Sequence, residues 1–334
     1  MNGEFLFKLV LESIGLVFFS IFFGLLFKGI DRKLVAHMQS RVGPPIRQPS
    51  LDVMKLMNKE NIVPKHAVKW MYNLAPLICL TSSIIILFYI PIGSIHPFLE
   101  GHGDIILILY LFAIPSLAMV AGGFASSSPF ATVGAQREMV TMISYELPLS
   151  IIIISMVWRL SNIGGNVFSL QFIAQHPLWN SVGLLGFVGL LFLLFSMIIV
   201  TPGELAKVPF DVAEAETEIA GGLTVEYSGR NLAMLYMADG VKIFAFSAII
   251  VALFFPYNIS QYFNLNSLIS FIIDFLFFLL KVFLVMLFSI TLIRAGMARL
   301  RITQVVSSYW FTVSLIALIG LVLLMWDVSL KVGW

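Results

Sequence analysis

The chain has 334 residues, of which 59% are hydrophobic and only 11% charged, with a formal net charge of +2. An ordinary soluble domain is about one quarter charged, so a soluble enzyme and a disordered chain are both excluded. A charge of +2 offers too little basic surface to neutralise phosphates, which excludes a nucleic-acid binder. A polytopic membrane protein remains.

Apolar runs of spanning length recur eight times, and each must be helical because lipid offers no partner to open backbone. The expected fold is an all-α membrane bundle forming a single domain over 1–334. The first run, at about 5–29, carries Glu12. The loop at about 31–69 holds Arg32, Lys33, Arg41, Arg47, Lys55, Lys59, Lys65 and Lys69. It is read either as a docking surface or as ordinary retention of positive charge on the inner side. The run at about 70–92 holds Cys79, the only cysteine. One thiol can neither form an internal disulfide nor ligate a cluster alone, so it reads as a small buried hydrophobe. The histidines, His37, His66, His96, His102 and His176, fall in or beside expected loops, where no membrane haem would be held. No phosphate-binding glycine motif appears. The chain is therefore expected to carry no cofactor. If the protein works in electron transfer, its partners carry the electrons.

After the run at about 104–122 comes a loop at about 123–137 ending in Arg137. The run at about 138–158 contains Glu138, Glu146 and Pro148. Pro148 frees a backbone carbonyl and can kink the helix near the Glu146 carboxylate. The run at about 180–201 leads into an acidic loop at about 202–231, with Glu204, Asp211, Glu214, Glu216, Glu218 and Glu226 against Lys207 and Arg230. Pro209 and Asp211 can start a short helix that places Asp211, Glu214 and Glu218 on one face. Like charges that close destabilise a helix unless one is protonated or a cation is near. This loop is expected to bind a cation, meet a basic partner or share protons. The run at about 232–255 carries Asp239 and Lys242, three apart and able to pair. The run at about 267–293 carries Asp274 and Lys281, on one face but two turns apart. The loop at about 294–304 adds Arg294, Arg299 and Arg301. The run at about 305–326 is the eighth.

Basic residues set the orientation. They crowd the loops at 31–69, 123–137, 202–231 and 294–304, whereas the opposite side has only Lys8, Arg159 and Lys331. Both termini are expected outside and these four loops in the cytoplasm. Charges within a bilayer are costly and mark ion or proton paths. Glu146, Asp211, Glu214, Glu216, Glu218, Glu226, Asp239, Lys242, Asp274 and Lys281 are accordingly candidate coupling residues. Arg32, Arg41, Arg47, Arg137, Arg294, Arg299 and Arg301 are candidate interface residues.

The run Asp31-Arg32-Lys33, then Arg41-Val-Gly-Pro44, Gln48-Pro49 and Asp52-x-x-Lys55-Leu resembles the first cytoplasmic loop of the H subunit of respiratory complex I. Gly134-Ala135-x-Arg137 with Ser144-Tyr145-Glu146, and Pro209-Phe210-Asp211 with Val225-Glu226-Tyr227, resemble later stretches of the same family, in order. Ala238-Asp239 and the Arg294-to-Gln304 segment extend the likeness. Only Pro45-Ile46-Arg47 stands where quinone-type subunits carry a longer insert. Ser128-Pro129-Phe130 with Arg137-Glu138-Met139 is similar to the anchor subunits of membrane-bound energy-converting nickel–iron hydrogenases and sulfane sulfur reductases.

The resemblance implies a multi-pass subunit of the cell membrane. It would join peripheral redox-arm subunits on the cytoplasmic face to antiporter-like and small membrane subunits, with any iron–sulfur cluster, nickel–iron centre or quinone held by, or shared with, those partners. Its loop and intramembrane carboxylates would couple electron transfer to H⁺ or Na⁺ movement. A quinone-chamber subunit of a quinone oxidoreductase is the alternative within the family. A stand-alone secondary transporter is the alternative outside it, although no internal repeat is visible.

Overall fold

The computed structural model describes residues 3–99, 101, 103–161, 164–260 and 266–332. His102 and the side chains of Lys8 and Lys331 lie outside the described residues. Among those residues the chain is helical without strands, and eight helices are long and apolar enough to cross a membrane. The all-α expectation is met, and all eight apolar runs become spans.

Helix α1 (Gly3–Met38) is followed by the short α2 (Gln48–Met57), then α3 (Lys69–Phe88), α4 (Asp104–Ala125) and α5 (Pro129–Ser161). Two short helices, α6 (Leu170–Gln175) and α7 (Leu178–Ser181), precede α8 (Leu184–Glu204). The tiny α9 (Glu216–Ile219) lies before α10 (Gly229–Phe254). Helix α11 (Ser267–Met286) runs through a π turn at Leu287–Thr291 into α12 (Leu292–Gly296). Helix α13 (Ile302–Ser307) passes through a second π segment, Ser308–Val313, into α14 (Ser314–Val332).

Two helices reach further than their apolar runs. At about 1.5 Å per residue, 36-residue α1 is about 54 Å long, well beyond a hydrocarbon core of about 30 Å. Helix α5 begins at Pro129, so most of the loop expected at 123–137 is helix and only 126–128 connects α4 to α5. A helix that leaves the hydrocarbon can keep its hydrogen bonds with polar residues on its surface, so its end need not coincide with the end of the apolar run.

Helix α10 is buried on nearly every side, packed between α1, α3 and α11. Helices α5, α8 and α14 form a second group, joined to the first through α4. The α1–α10 crossing is close because glycines meet there. A Cβ on Gly24 would lie 2.7 Å from the Val241 nitrogen, and one on Gly240 3.0 Å from the Gly24 carbonyl oxygen. One turn along from this crossing sits Lys28, and next to Gly240 sits Asp239.

Candidate functional site

A cavity of about 390 Å³ opens at the loop-rich end of the bundle. Lys28 from α1, Glu138 from α5, and Asp239 and Lys242 from α10 line it, together with Lys207 and Glu214 from the acidic segment. Asp239 is held from two sides: its carboxylate lies 2.7 Å from the Lys28 ammonium and 2.6 Å from that of Lys207. Lys28 also donates to the Tyr236 carbonyl at 3.0 Å and sits 3.2 Å from the centre of the Tyr236 ring. A buried lysine needs such company, since desolvation penalises an isolated charge. The expected Asp239–Lys242 pair does not form. Lys242 donates to the Glu204 backbone carbonyl at 3.2 Å, because Lys28 and Lys207 already occupy both carboxylate oxygens of Asp239.

The acidic segment folds differently from the single helix expected of it. Val212–Glu214 is one 3-10 turn, Ala215 is extended at φ −64° and ψ 98°, and Glu216–Ile219 starts a separate turn. The three carboxylates therefore leave the common face on which they would repel each other. Asp211 takes a two-pronged bond from Arg299, at 2.9 and 2.6 Å. Glu218 pairs with Arg137 at 2.5 Å. Glu214 turns into the cavity. Burial raises the Glu214 pKa to about 7; Lys207 opposes the rise, while Asp239 and Glu138 add to it. The bonds to Asp211 hold the Arg299 pKa above its ordinary value. Glu216 is exposed at the cavity rim. Glu226 contributes its backbone: its carbonyl accepts from the Tyr72 hydroxyl at 2.6 Å, and Tyr72 stacks on Tyr227 with ring centres 4.3 Å apart.

Other candidates lie apart. Glu146 is partly exposed on α5 and is not among the cavity-lining residues; α5 continues through Pro148 without a break. Asp274 and Lys281 sit near the opposite end. Asp274 accepts from the Ser260 amide at 3.0 Å and its hydroxyl at 2.6 Å, and Lys281 donates to the carbonyls of Phe255 and Tyr257. They share a face without touching, as the spacing implied.

The arginines divide likewise. Arg294 bonds Asp31 at 2.7 Å, and Thr291 supports the same carboxylate at 2.9 Å. Arg32 lies 3.5 Å from Asp52. These two and Arg299 line the cavity. Arg41 bonds Gln39, Arg47 stands at the start of α2, and the Arg301 amide is capped by the Gln304 side chain.

Sequence reasoning did not single out Lys28, although a lysine inside an apolar run was the available signal. It also passed over Glu204 as one loop acid among six. Glu204 is 2% exposed at the end of α8, and its Oε1 has no hydrogen-bond partner. Around it, Tyr145 lies 3.3 Å from the Ser116 hydroxyl, and Tyr309 donates to the Ile199 carbonyl at 3.2 Å. No group of three or more His, Cys, Asp or Glu side chains placed to hold a metal ion occurs among the described residues.

The family model described as NADH dehydrogenase matches residues 11–325. The chain belongs to that family. It is 33% identical over 327 residues to the H subunit of the NADH-quinone oxidoreductase of Brevibacillus brevis, covering 96% of this chain and 91% of the relative. It is 32% identical over 296 residues to Hydrogenase-4 component C of Escherichia coli K12, covering 88% and 89%. Among solved structures, it matches a chain of the membrane-bound sulfane sulfur reductase, an archaeal respiratory membrane complex. That match has a TM-score of 0.82 and 29% identity, over 95% of this chain and 99% of the other. The resemblance drawn from the loop motifs is thereby supported. The protein is a multi-pass membrane protein related throughout its length to subunits of membrane oxidoreductases.

Proposed function

We propose that this chain is the anchor and coupling subunit of a redox-driven ion pump in the cell membrane, with both termini outside. The observation that carries the reading is the cavity in which Glu138, Glu214 and Asp239 meet Lys28, Lys207 and Lys242 at the loop-rich end of the bundle. Asp239 is held between its two lysines. Glu214, poised near neutrality, takes and gives up a proton at working pH. When Glu214 ionises, Lys207 is drawn between two carboxylates, which alters the field on Glu138 and Glu204 deeper in the bundle. Charge at the loops is thus converted into proton affinity inside the membrane. Glu146, Glu216, Glu218, Glu226, Asp274 and Lys281 belong to this reading as further coupling candidates.

The arginine-rich loops face the cytoplasm and dock a redox arm whose subunits hold the iron–sulfur clusters. Antiporter-like and small membrane subunits continue the ion path. The arm is hydrogenase-like or sulfur-reducing. The short Pro45-Ile46-Arg47 segment supports this: it stands where quinone-type subunits carry a longer insert, and its Ile46 carbonyl packs directly on Gly29. A quinone-reducing arm is the second reading, favoured by the likeness to the quinone-oxidoreductase relative over 96% of the chain.

Gentle solubilisation followed by identification of what copurifies tests the proposal. A cytoplasmic arm bearing iron–sulfur clusters is expected. A chain that purifies alone and transports ions unaided would contradict it.

A further inference from the structure

Two neighbouring spaces at the end of the bundle remote from the carboxylate cavity share a wall. One is a largely apolar crevice of about 850 Å³, lined by Leu16 and Phe19 of α1 and by Phe271 and Phe275 of α11, with Glu12 also on its wall. The other is a polar recess of about 600 Å³ that includes Gln171, Asn180, Ser260 and Lys281. Ile95, His96 and Pro97 line both, so the two are joined along one turn, which the Ile92–Ile95 bridge holds.

Each space has an unused feature. In the crevice it is Gly15, where an added Cβ would meet nothing within 4 Å. This differs from Gly24 on the same helix, where the glycine admits a neighbouring backbone. In the recess it is Lys281. An ammonium group has three N–H donors. Two go to the carbonyls of Phe255 at 2.8 Å and Tyr257 at 2.7 Å, and the ammonium lies 4.8 Å from the centre of the Phe277 ring; the third N–H meets no hydrogen-bond acceptor among the described residues. The carboxylate in the recess, Asp274, is 2% exposed and is occupied by Ser260, so it does not pair with Lys281. His96 stands at the shared wall, its ring nitrogen 2.7 Å from the Gln171 amide. The recess thus presents the Lys281 ammonium to whatever enters it.

Access to the crevice is from the side. Val10, Ile14, Phe18 and Phe22 on α1 and Leu268 and Ile272 on α11 are exposed apolar residues. A spanning helix turns such residues to lipid. The stretch of α1 from Glu12 to Phe19 that lines the crevice rises about 10 Å, compared with about 15 Å for one hydrocarbon leaflet. Apolar depth with a cationic head site matches one class of ligand.

We propose that the paired spaces hold one membrane phospholipid, an acyl chain in the crevice beside Gly15 and the phosphate headgroup on Lys281. This goes beyond the coupling reading, which also counts Lys281 among its candidates, and its test reads bound lipid rather than ion movement.

The test uses the intact complex. A photo-crosslinking amino acid placed at Gly15 is expected to give a phospholipid adduct on this chain. An adduct with another polypeptide, or no adduct, would overturn the proposal. In parallel, phospholipid retained after detergent washing is measured by mass spectrometry. The unmodified complex should keep it. Gly15→Phe, which fills open space, and Lys281→Gln, which removes the cation, should each weaken retention about tenfold. Equal retention in all three complexes would also overturn it. If Gly15→Phe prevents assembly, the crosslink and Lys281→Gln decide the matter.

Discussion

Glu214 concentrates the site's chemistry in one side chain. Its ordinary pKa is near 4.5, and burial raises it to about 7. The folded protein therefore favours the protonated form. Its contribution to folding is harmless below the unfolded pKa and becomes a growing cost as pH rises toward 7. Infrared difference titration should show a carboxylic acid band that disappears with a midpoint near pH 7 and is absent in Glu214→Gln. Asp239→Asn removes a neighbouring negative charge and should lower that midpoint. Lys207→Met removes a positive one and should raise it. A midpoint unmoved by both would sever Glu214 from the cluster.

Gly203 is a second residue-scale case, because a Cβ there would meet the Tyr309 hydroxyl and ring. Gly203→Ala should cost about 1–3 kcal/mol by overpacking. Adding Tyr309→Phe, which deletes the hydroxyl, should recover part of the loss in a double-mutant cycle. Thermal unfolding of the purified complex reads both effects. Simple additivity would show that the two positions do not meet.

At the scale of elements, the α1–α10 crossing decides whether the site exists. The Gly24–Gly240 approach sets the helix spacing that lets Lys28 reach Asp239 at 2.7 Å. Gly24→Leu should push α1 away and cost about 1–3 kcal/mol. It should also lower coupling between electron transfer and ion movement, whereas Ile14→Leu on the exposed face of α1 should do neither. Coupling that survives Gly24→Leu would show that the Lys28 contact is dispensable.

This level also shows where sequence reasoning stops. Eight spans were legible because lipid enforces helices and composition marks them. The break at Ala215 was not, because it depends on Arg299 and Arg137, remote in sequence, taking Asp211 and Glu218 separately. The partners of Asp239 were hidden for the same reason. Lys242 is its neighbour along the helix, but Lys28 and Lys207 reach it only after the bundle packs.

For the whole molecule, scarcity of charge identified a membrane protein and the loop motifs identified its relatives. Charge placement alone could not divide the acids into groups. Packing draws Glu138, Glu214 and Asp239 into one cavity. It leaves Asp274 and Lys281 at the far end, in a recess of different character. The charged groups thus fall into two clusters at opposite ends of one bundle.

The central claim is that the cavity carboxylates link redox chemistry to ion movement. The most direct test compares ions translocated per electron transferred for the intact complex and for Glu214→Gln, reconstituted in sealed vesicles. The account predicts an assembled, electron-transferring complex whose ion-to-electron ratio falls severalfold. An unchanged ratio would contradict it.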